Sequence, residues 1–210
     1  MHPTLAIVGC GPRLEVALAG PTPRSDLVMA AVELLMKAAD LQPGDLGAVV
    51  ATRGPGSFTG IRVALATARG LATALGIPAV GVPSLAAQAA RTTLERCFAA
   101  QPARRGHLYV QEFRRPAPGA PPEPAGEVRM AALADLATLE LPLIAPAGVV
   151  LPAGCLPAPA AVSTAEGLLL LADLLPEGDP DTLTPLYLEP PPAVPPTRTA
   201  KPWPHSPTAS

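Results

Sequence analysis

A chain of 210 residues is long enough to bury a real core, as one large domain or as two small ones. Hydrophobic residues make up 49% of the sequence but aromatic residues only 3%, so the core must be built mainly from Ala, Leu and Val. The formal net charge of −2 excludes a global basic field that would hold nucleic acid on its own. Any RNA contact would therefore be local or made through a partner.

The cysteines and the start of the chain give expectations about metals and location. Cys10, Cys97 and Cys155 are far apart and form no CxxC or Cys/His spacing, so neither a zinc site nor a disulfide framework is predicted. The opening MHPTLAIVGCG lacks the basic and apolar regions of a signal peptide. No apolar run approaches the roughly 18 residues that cross a bilayer. We expect a soluble protein of the cytoplasm without membrane contact.

The first predicted elements form a β-hairpin. Residues 4–9, TLAIVG, have the apolar run of a buried strand, and residues 13–20 alternate at strand period. A GCGPR turn joins the two strands. This turn superficially resembles a dinucleotide-binding fingerprint, but the third glycine and the following helix are missing, which disfavours a Rossmann site.

Helices and strands then alternate along the chain. Ser25 and Ser84 stand where the N-caps of two of the helices are expected. This order predicts an α/β domain with a mixed sheet. The predicted elements are a helix over 25–40, a strand over 46–52, a helix over 59–75, a strand over 78–82 and a helix over 84–97.

From about residue 101 the sequence becomes rich in proline, and the elements become shorter. Trp203 lies in the final Pro-rich stretch and is not expected in the core. The predicted elements are a strand over 106–113, a loop over 116–126, short buried strands and turns over 141–154, a helix over 163–175 and a disordered tail over 190–210. We therefore divide the chain into an N-terminal subdomain over 1–100, a C-terminal subdomain over 101–189 and the tail.

A glycine-rich loop, GPGSFTG, precedes the second helix. A P-loop would need a lysine and a following hydroxyl at fixed spacing, and both are missing here. The sequence favours a tight turn in which Ser57 or Thr59 caps the helix. An anion contact at Gly54, Gly56 and Ser57 stays open, because a helix N-terminus presents free N–H groups.

The helices over 25–40 and 59–75 are more apolar than one sheet requires. A helix on a sheet needs an apolar face of only about 100°, whereas polar side chains here occupy single narrow stripes. Ala66, Gly70 and Ala74 also form a row of small residues that lets another backbone approach. Either the C-terminal half or the tail covers the second face, or helices of another chain do. The second alternative is favoured, because the C-terminal half supplies only one convincing helix.

The residues predicted to contact a partner follow from these two faces. They are Leu27, Ala31, Leu34, Leu35, Thr59, Arg62, Val63, Ala66, Arg69, Gly70 and Thr73.

Catalytic groups are scarce by comparison. No acidic residue of the first half stands beside a histidine, and no nucleophile elbow is present. Neither catalytic residues nor metal ligands are predicted. Arg104, Arg105 and His107 form a small cationic cluster, for which a solvated strand edge is favoured over an RNA contact.

The stretch GPGSFTGIRVALATARGLATALGIPAVGVPSLAAQA, together with ARRGHLYVQEF and PLYLEPP, resembles the bacterial TsaB (YeaZ) family. The resemblance implies the two-subdomain fold of actin-like ATPases, related to ribonuclease H, with a reduced second subdomain. It also implies a non-catalytic subunit that dimerises with TsaD through the two apolar helices and supports the synthesis of threonylcarbamoyladenosine in tRNA. The ATPase TsaE would join the pair, tRNA would be contacted through the complex, and ATP and metal would lie on the partner subunits.

Two departures from the family pattern bear on the alternatives. Val8 stands where family members have an aspartate of the former phosphate loop, and Pro102 replaces a second aspartate. The first of them weakens the alternative that this chain is an ATPase or peptidase-type enzyme with a phosphate site at 54–60. A homodimer formed through the same helices is the remaining alternative.

Overall fold

The computed structural model describes residues 4–8, 14–17, 21–22, 28–172, 178 and 183–188. In this part of the chain the strands form two sheets. The first sheet has the order β3-β2-β1-β4-β5. Its strands are β1 (Thr4–Val8), β2 (Leu14–Ala17), β3 (Pro21–Thr22), β4 (Ala48–Gly54) and β5 (Ala79–Pro83).

The predicted hairpin is confirmed, because β1 pairs antiparallel with β2. The strand β1 also pairs parallel with β4, and β4 pairs parallel with β5, so the sheet is mixed as predicted. Leu5, Ala6 and Ile7 are all fully buried although consecutive side chains of a strand point to opposite faces. Both faces of this sheet are therefore covered.

In the described part of the chain, that cover comes from four α-helices: α1 (Val28–Ala38), α2 (Phe58–Leu75), α3 (Ser84–Ala89) and α4 (Thr164–Ala172). The helix α2 packs mainly on β4, whereas α4 packs on β1 and against α3. Although α4 comes from the second half of the sequence, it thus completes the core of the first sheet. Within the described residues, no helix is both long and apolar enough to cross a membrane.

The second sheet has the order β10-β6-β7-β8, and β9 also pairs with β7. Its core contains Phe113, Leu136 and Ile144. The strands are β6 (Arg96–Pro102), β7 (His107–Arg114), β8 (Glu123–Pro124), β9 (Arg129–Ala132) and β10 (Leu143–Ile144).

The predicted helix over 84–97 is wrong in its second half, because α3 ends at Ala89 and β6 begins at Arg96. Thr92 accepts a hydrogen bond from the Leu94 N–H, which fixes a turn there. Seven residues of β6 then pair with β7, so contacts distant in sequence override the local helix pattern. The predicted subdomain boundary at residue 100 consequently falls inside β6.

The cap predicted at Ser84 is also wrong. Pro83 occupies the N-cap position of α3 and Ser84 is the first helical residue. The buried Ser84 hydroxyl instead accepts a hydrogen bond from the Gly54 N–H, 3.1 Å away. It joins α3 to the end of β4.

Several predictions fall on residues outside the described part. Ser25 and Leu27 precede α1, whose described portion begins at Val28. The end of the helix predicted over 163–175, beyond Ala172, and the tail over 190–210 with Trp203, also lie outside the described residues.

Candidate partner-binding surface

The glycine-rich loop between β4 and α2 is fixed by contacts within the chain. Gly54 has a φ of +109°, which side-chain-bearing residues rarely adopt, and a Cβ there would lie 2.6 Å from the Leu186 carbonyl oxygen. The Gly54 N–H is bound to Ser84, and the Arg53 carbonyl accepts from the Leu186 N–H at 2.6 Å. The loop therefore packs against Leu186, which lies near the end of the chain.

Of the two predicted caps, Ser57 and Thr59, the structure has Ser57 at the start of α2. Its hydroxyl accepts a hydrogen bond from the Gly60 N–H at 3.2 Å, and the helix begins at Phe58. The turn-and-cap interpretation is thus confirmed. The Gly54 N–H and the Ser57 hydroxyl already have hydrogen-bond partners inside the protein. These two groups therefore do not support an anion contact at the loop, which stays a prediction.

One face of α2 is buried and the opposite face is open. Ile61, Ala64 and Ala68 are fully buried against β4 and its neighbours. Gly70 is exposed, and a Cβ placed on it would meet nothing within 4 Å. The other exposed residues that the sequence predicted as partner contacts on this helix are Thr59, Arg62, Ala66, Arg69 and Thr73, while Val63 is half-buried.

The helix α1 has the same division. Val28, Val32 and Met36 are buried, whereas Leu34 is 67% exposed and Met29 is 53% exposed. Two other predicted partner contacts, Ala31 and Leu35, are half-buried and pack partly against the core. The apolar periodicity of α1 includes Ala31 and Leu35 but does not show which apolar residues face the core and which face solvent.

A groove of about 630 Å³ runs between α1 and α2, open to solvent. Met29 and Glu33 line it from α1, and Leu71 and Ala74 line it from α2. We call the exposed residues of α1 and α2 with this groove the α1–α2 face. Its exposed residues include the apolar or small Met29, Leu34, Ala66 and Gly70 and the charged Glu33, Lys37, Arg62 and Arg69.

The segment Leu183–Leu188, which we call the C-terminal segment, lies along one edge of α2. The Arg69 Nη2 donates to the Leu183 carbonyl at 2.7 Å, and the Arg62 Nε donates to the Tyr187 hydroxyl at 2.8 Å. Among the residues that the structure describes, the C-terminal half thus covers α2 along this edge. Ala66 and Gly70 remain exposed.

The sequence missed Phe58 and Tyr187, which lie beside Arg62. Their ring centroids are 5.4 Å apart, and the Arg62 Cζ lies 3.9 Å from the Phe58 centroid. The two rings are 129 positions apart in the chain, so no periodicity could join them. The signal in the sequence that points to Tyr187 is the PLYLEPP motif, which contains it and is part of the family resemblance.

The other candidate groups lie on the second sheet. Arg104 and Arg105 are exposed in the turn between β6 and β7, and the His107 Nδ1 lies 3.1 Å from the Arg105 carbonyl oxygen. Burial raises the pKa of the Cys97 thiol to about 11, so it stays protonated at neutral pH. The described residues contain no group of three His, Cys, Asp or Glu side chains placed to hold a metal.

Known proteins are similar to this chain in the segments that build this surface. The family model "TsaD: tRNA N6-adenosine threonylcarbamoyltransferase" matches residues 24–118. The tRNA threonylcarbamoyladenosine biosynthesis protein TsaB of Escherichia coli (strain K12) is 31% identical over 99 residues, which are 45% of this chain and 43% of that protein. TsaB of Bacillus subtilis (strain 168) is 44% identical over 62 residues, which are 30% of this chain and 27% of that protein.

A longer match is with the uncharacterised protein ML0378 of Mycobacterium leprae (strain TN), 40% identical over 126 residues, or 53% of this chain and 35% of that protein. The chain thus spans less than half the length of the curated relatives it matches. Among solved structures, YeaZ from Pseudomonas aeruginosa superimposes with a TM-score of 0.68 at 22% identity, covering 90% of this chain and all of that one. The chain is thus similar to TsaB proteins over part of its sequence and to YeaZ in its fold.

A second Pseudomonas aeruginosa structure, described as an uncharacterised protein with similarity to peptidase YeaZ, has a TM-score of 0.69 at 23% identity, with the same coverage. The predicted α/β fold of the actin-like, ribonuclease H-like type is thereby confirmed. The residues matched by the family model, 24–118, include α1, the glycine-rich loop and α2. The sequence similarity therefore includes the segments that build the α1–α2 face.

Proposed function

We propose that this chain takes part in tRNA threonylcarbamoyladenosine biosynthesis as a TsaB-type subunit. The proposal is supported by two curated relatives that carry this name and by the family model that matches residues 24–118. The YeaZ-like fold agrees with it. Location in the cytoplasm goes with this proposal, because the substrate of the pathway is tRNA.

We further propose that the chain is a binding subunit without a catalytic role and that its α1–α2 face packs on a TsaD-type transferase. The observation that carries this proposal is Gly70. A glycine in the middle of a helix costs about 1 kcal/mol relative to alanine. Beyond the helix's own local backbone, no atom of the described residues lies within 4 Å of a Cβ placed on Gly70, so nothing in the described part of the chain explains it. Close approach of a partner helix does.

The remaining parts of the proposal rest on the family resemblance. A TsaE-type ATPase would join the pair, tRNA would be contacted through the complex, and ATP and metal would be held by the partner subunits. In the absence of the TsaD-type subunit, the same face would support a homodimer, because its exposed Met29 and Leu34 have no cover among the described residues.

The second candidate function is an enzyme with a phosphate site at the 54–60 loop. It is disfavoured by the loop itself, where the Gly54 N–H is bound to Ser84 and the Ser57 hydroxyl caps α2. The loop also has no lysine that could reach a phosphate. A helix N-terminus remains there, which keeps the candidate testable.

The experiment is co-elution of this chain with the TsaD-type subunit of the same organism in size-exclusion chromatography. The wild-type chain is expected to co-elute, and Ala66→Arg is expected to abolish co-elution while its own melting temperature stays near wild type. Val150→Arg is the matched control, because Val150 is 85% exposed and lies away from α1 and α2 in sequence. Co-elution of Ala66→Arg at wild-type level would contradict the interface assignment.

The two candidate functions are separated by calorimetry with ATP on the isolated chain. The binding-subunit proposal expects no heat of binding at micromolar concentrations. Tight ATP binding that is lost in a Ser57 variant would favour the enzyme candidate instead.

A further inference from the structure

Arg62 lies over the Phe58 ring and binds the hydroxyl of Tyr187, at the edge of the α1–α2 face. Its Cζ lies 3.9 Å from the Phe58 ring centroid and 5.9 Å from the Tyr187 centroid. Its Nε donates to the Tyr187 hydroxyl at 2.8 Å. A flexible exposed arginine normally samples many rotamers, so these contacts fix the direction of its guanidinium group before any partner arrives.

The guanidinium group of Arg62 has N–H donors beyond the one that binds Tyr187. The Tyr187 hydroxyl uses only Nε, and an arginine carries four further N–H bonds on its two terminal nitrogens. The ion pairs among the described residues are Arg96–Glu112 and Arg114–Glu123, on the second sheet. In the part of the chain that the structure describes, Arg62 therefore has no carboxylate as a partner.

The position of Arg62 relates it to the small-residue row. Residues four apart on a helix lie on one face, so Arg62 is one turn before Ala66 and two turns before Gly70 along the exposed side of α2. A helix that packs closely on Ala66 and Gly70 would pass within reach of the guanidinium group. The planar fork of an arginine is suited to a carboxylate, which it binds through two parallel hydrogen bonds.

We propose that Phe58 and Tyr187 position Arg62 to bind a carboxylate of the partner subunit, presented by an Asp or Glu on the helix that packs against the α1–α2 face. This inference rests on the proposed function, since it takes the TsaD-type subunit as the partner. It assigns Tyr187 a positioning role and makes the C-terminal segment a part of the binding surface. Aromatic residues and arginines are enriched at the energetically dominant points of interfaces, which fits this composition.

The test is the affinity of the two full-length subunits at low and high salt, measured by titration calorimetry. Arg62→Gln removes the charge and is expected to weaken binding about 30-fold at low salt. It should also flatten the salt dependence of the affinity, because the screened ion pair is gone. Arg104→Gln is the matched control, since Arg104 is an exposed arginine on the second sheet, and it should behave like the wild-type chain.

Tyr187→Phe tests the positioning role, because it keeps the ring and removes only the hydroxyl that orients Arg62. It should weaken binding about 5-fold and retain part of the salt dependence, with an unchanged melting temperature. If Arg62→Gln bound with wild-type affinity and salt dependence, the inference would be overturned. The same holds if Arg62→Gln lost only the binding of tRNA to the assembled complex, because the group would then contact nucleic acid.

The failure of this inference differs from the failure of the proposed function. If the wild-type chain did not bind the TsaD-type subunit at any salt concentration, the proposed function would fail. If the wild-type chain bound and the Arg62 and Tyr187 variants bound with the same affinity and salt dependence, the inference alone would fail.

Discussion

Two helices of this protein carry a glycine in their interior, and the surroundings of the two glycines differ. In α4, a Cβ on Gly167 would lie 2.6 Å from the Ala87 carbonyl oxygen, so only glycine lets α4 approach α3 so closely. In α2, a Cβ on Gly70 would meet nothing within 4 Å. The described residues explain the first glycine and leave the second unexplained.

The same difference extends to the apolar side chains around each glycine. The helix α4 packs against strands β1, β2 and β4 as well as α3, and both Leu168 and Leu171 are buried. The helix α2 buries one face on the first sheet and leaves Ala66 and Gly70 exposed on the other. An apolar helix is therefore a sign of a second packing partner, and the structure decides whether that partner lies inside the chain. For α4 it does.

The largest effect on folding is expected at the glycine that the chain explains. Gly167→Ala places a methyl group against backbone, which does not move as a flexible side chain would, so the free energy of unfolding should fall by about 1–3 kcal/mol. Urea denaturation measures it. Leu170→Ala and Leu170→Gly, compared with each other at an exposed position of the same helix, are the control for helix propensity alone. An unchanged unfolding free energy for Gly167→Ala would mean that α3 and α4 are not packed as closely as the structure shows.

A smaller effect of opposite sign is expected at Gly70. Gly70→Ala should raise the free energy of unfolding of the isolated chain by about 0.5–1 kcal/mol, because alanine is the better helix former and its methyl group meets open space. The same substitution should weaken binding to the TsaD-type subunit, since the methyl group then stands in the contact. Ala66→Gly, one turn away, is the matched control and should lower the stability by a similar amount. A loss of stability in Gly70→Ala would show that another part of this chain covers α2.

Local signals predicted much of the first sheet and its helices. The hairpin, the strand before the glycine-rich loop and the span of α2 with its Ser57 cap each follow from residues within one turn or one strand of each other. The sequence does not predict the start of β6, because the stretch QAARTTLER that leads into it suits a helix. What ends that helix is distant in sequence, since Arg91 donates to the Val162 and Ala145 carbonyls and β6 pairs with β7.

The candidate site divides in the same way. The apolar excess of the two helices predicted that a second face exists, and Leu34, Ala66 and Gly70 are exposed on it. Periodicity could not exclude Ala31 and Leu35, which are half-buried on the core side. Nor could it predict that Tyr187 binds Arg62, because a hydrogen bond across 125 positions depends on the whole fold.

The most direct test of the account is amide hydrogen exchange of this chain with and without the TsaD-type subunit of its organism. The account predicts that the complex slows exchange along α1 and α2 and in the C-terminal segment, while the turn between β6 and β7 exchanges as it does in the isolated chain. Slower exchange on the second sheet, with α1 and α2 unchanged, would contradict the claim that the α1–α2 face binds the partner.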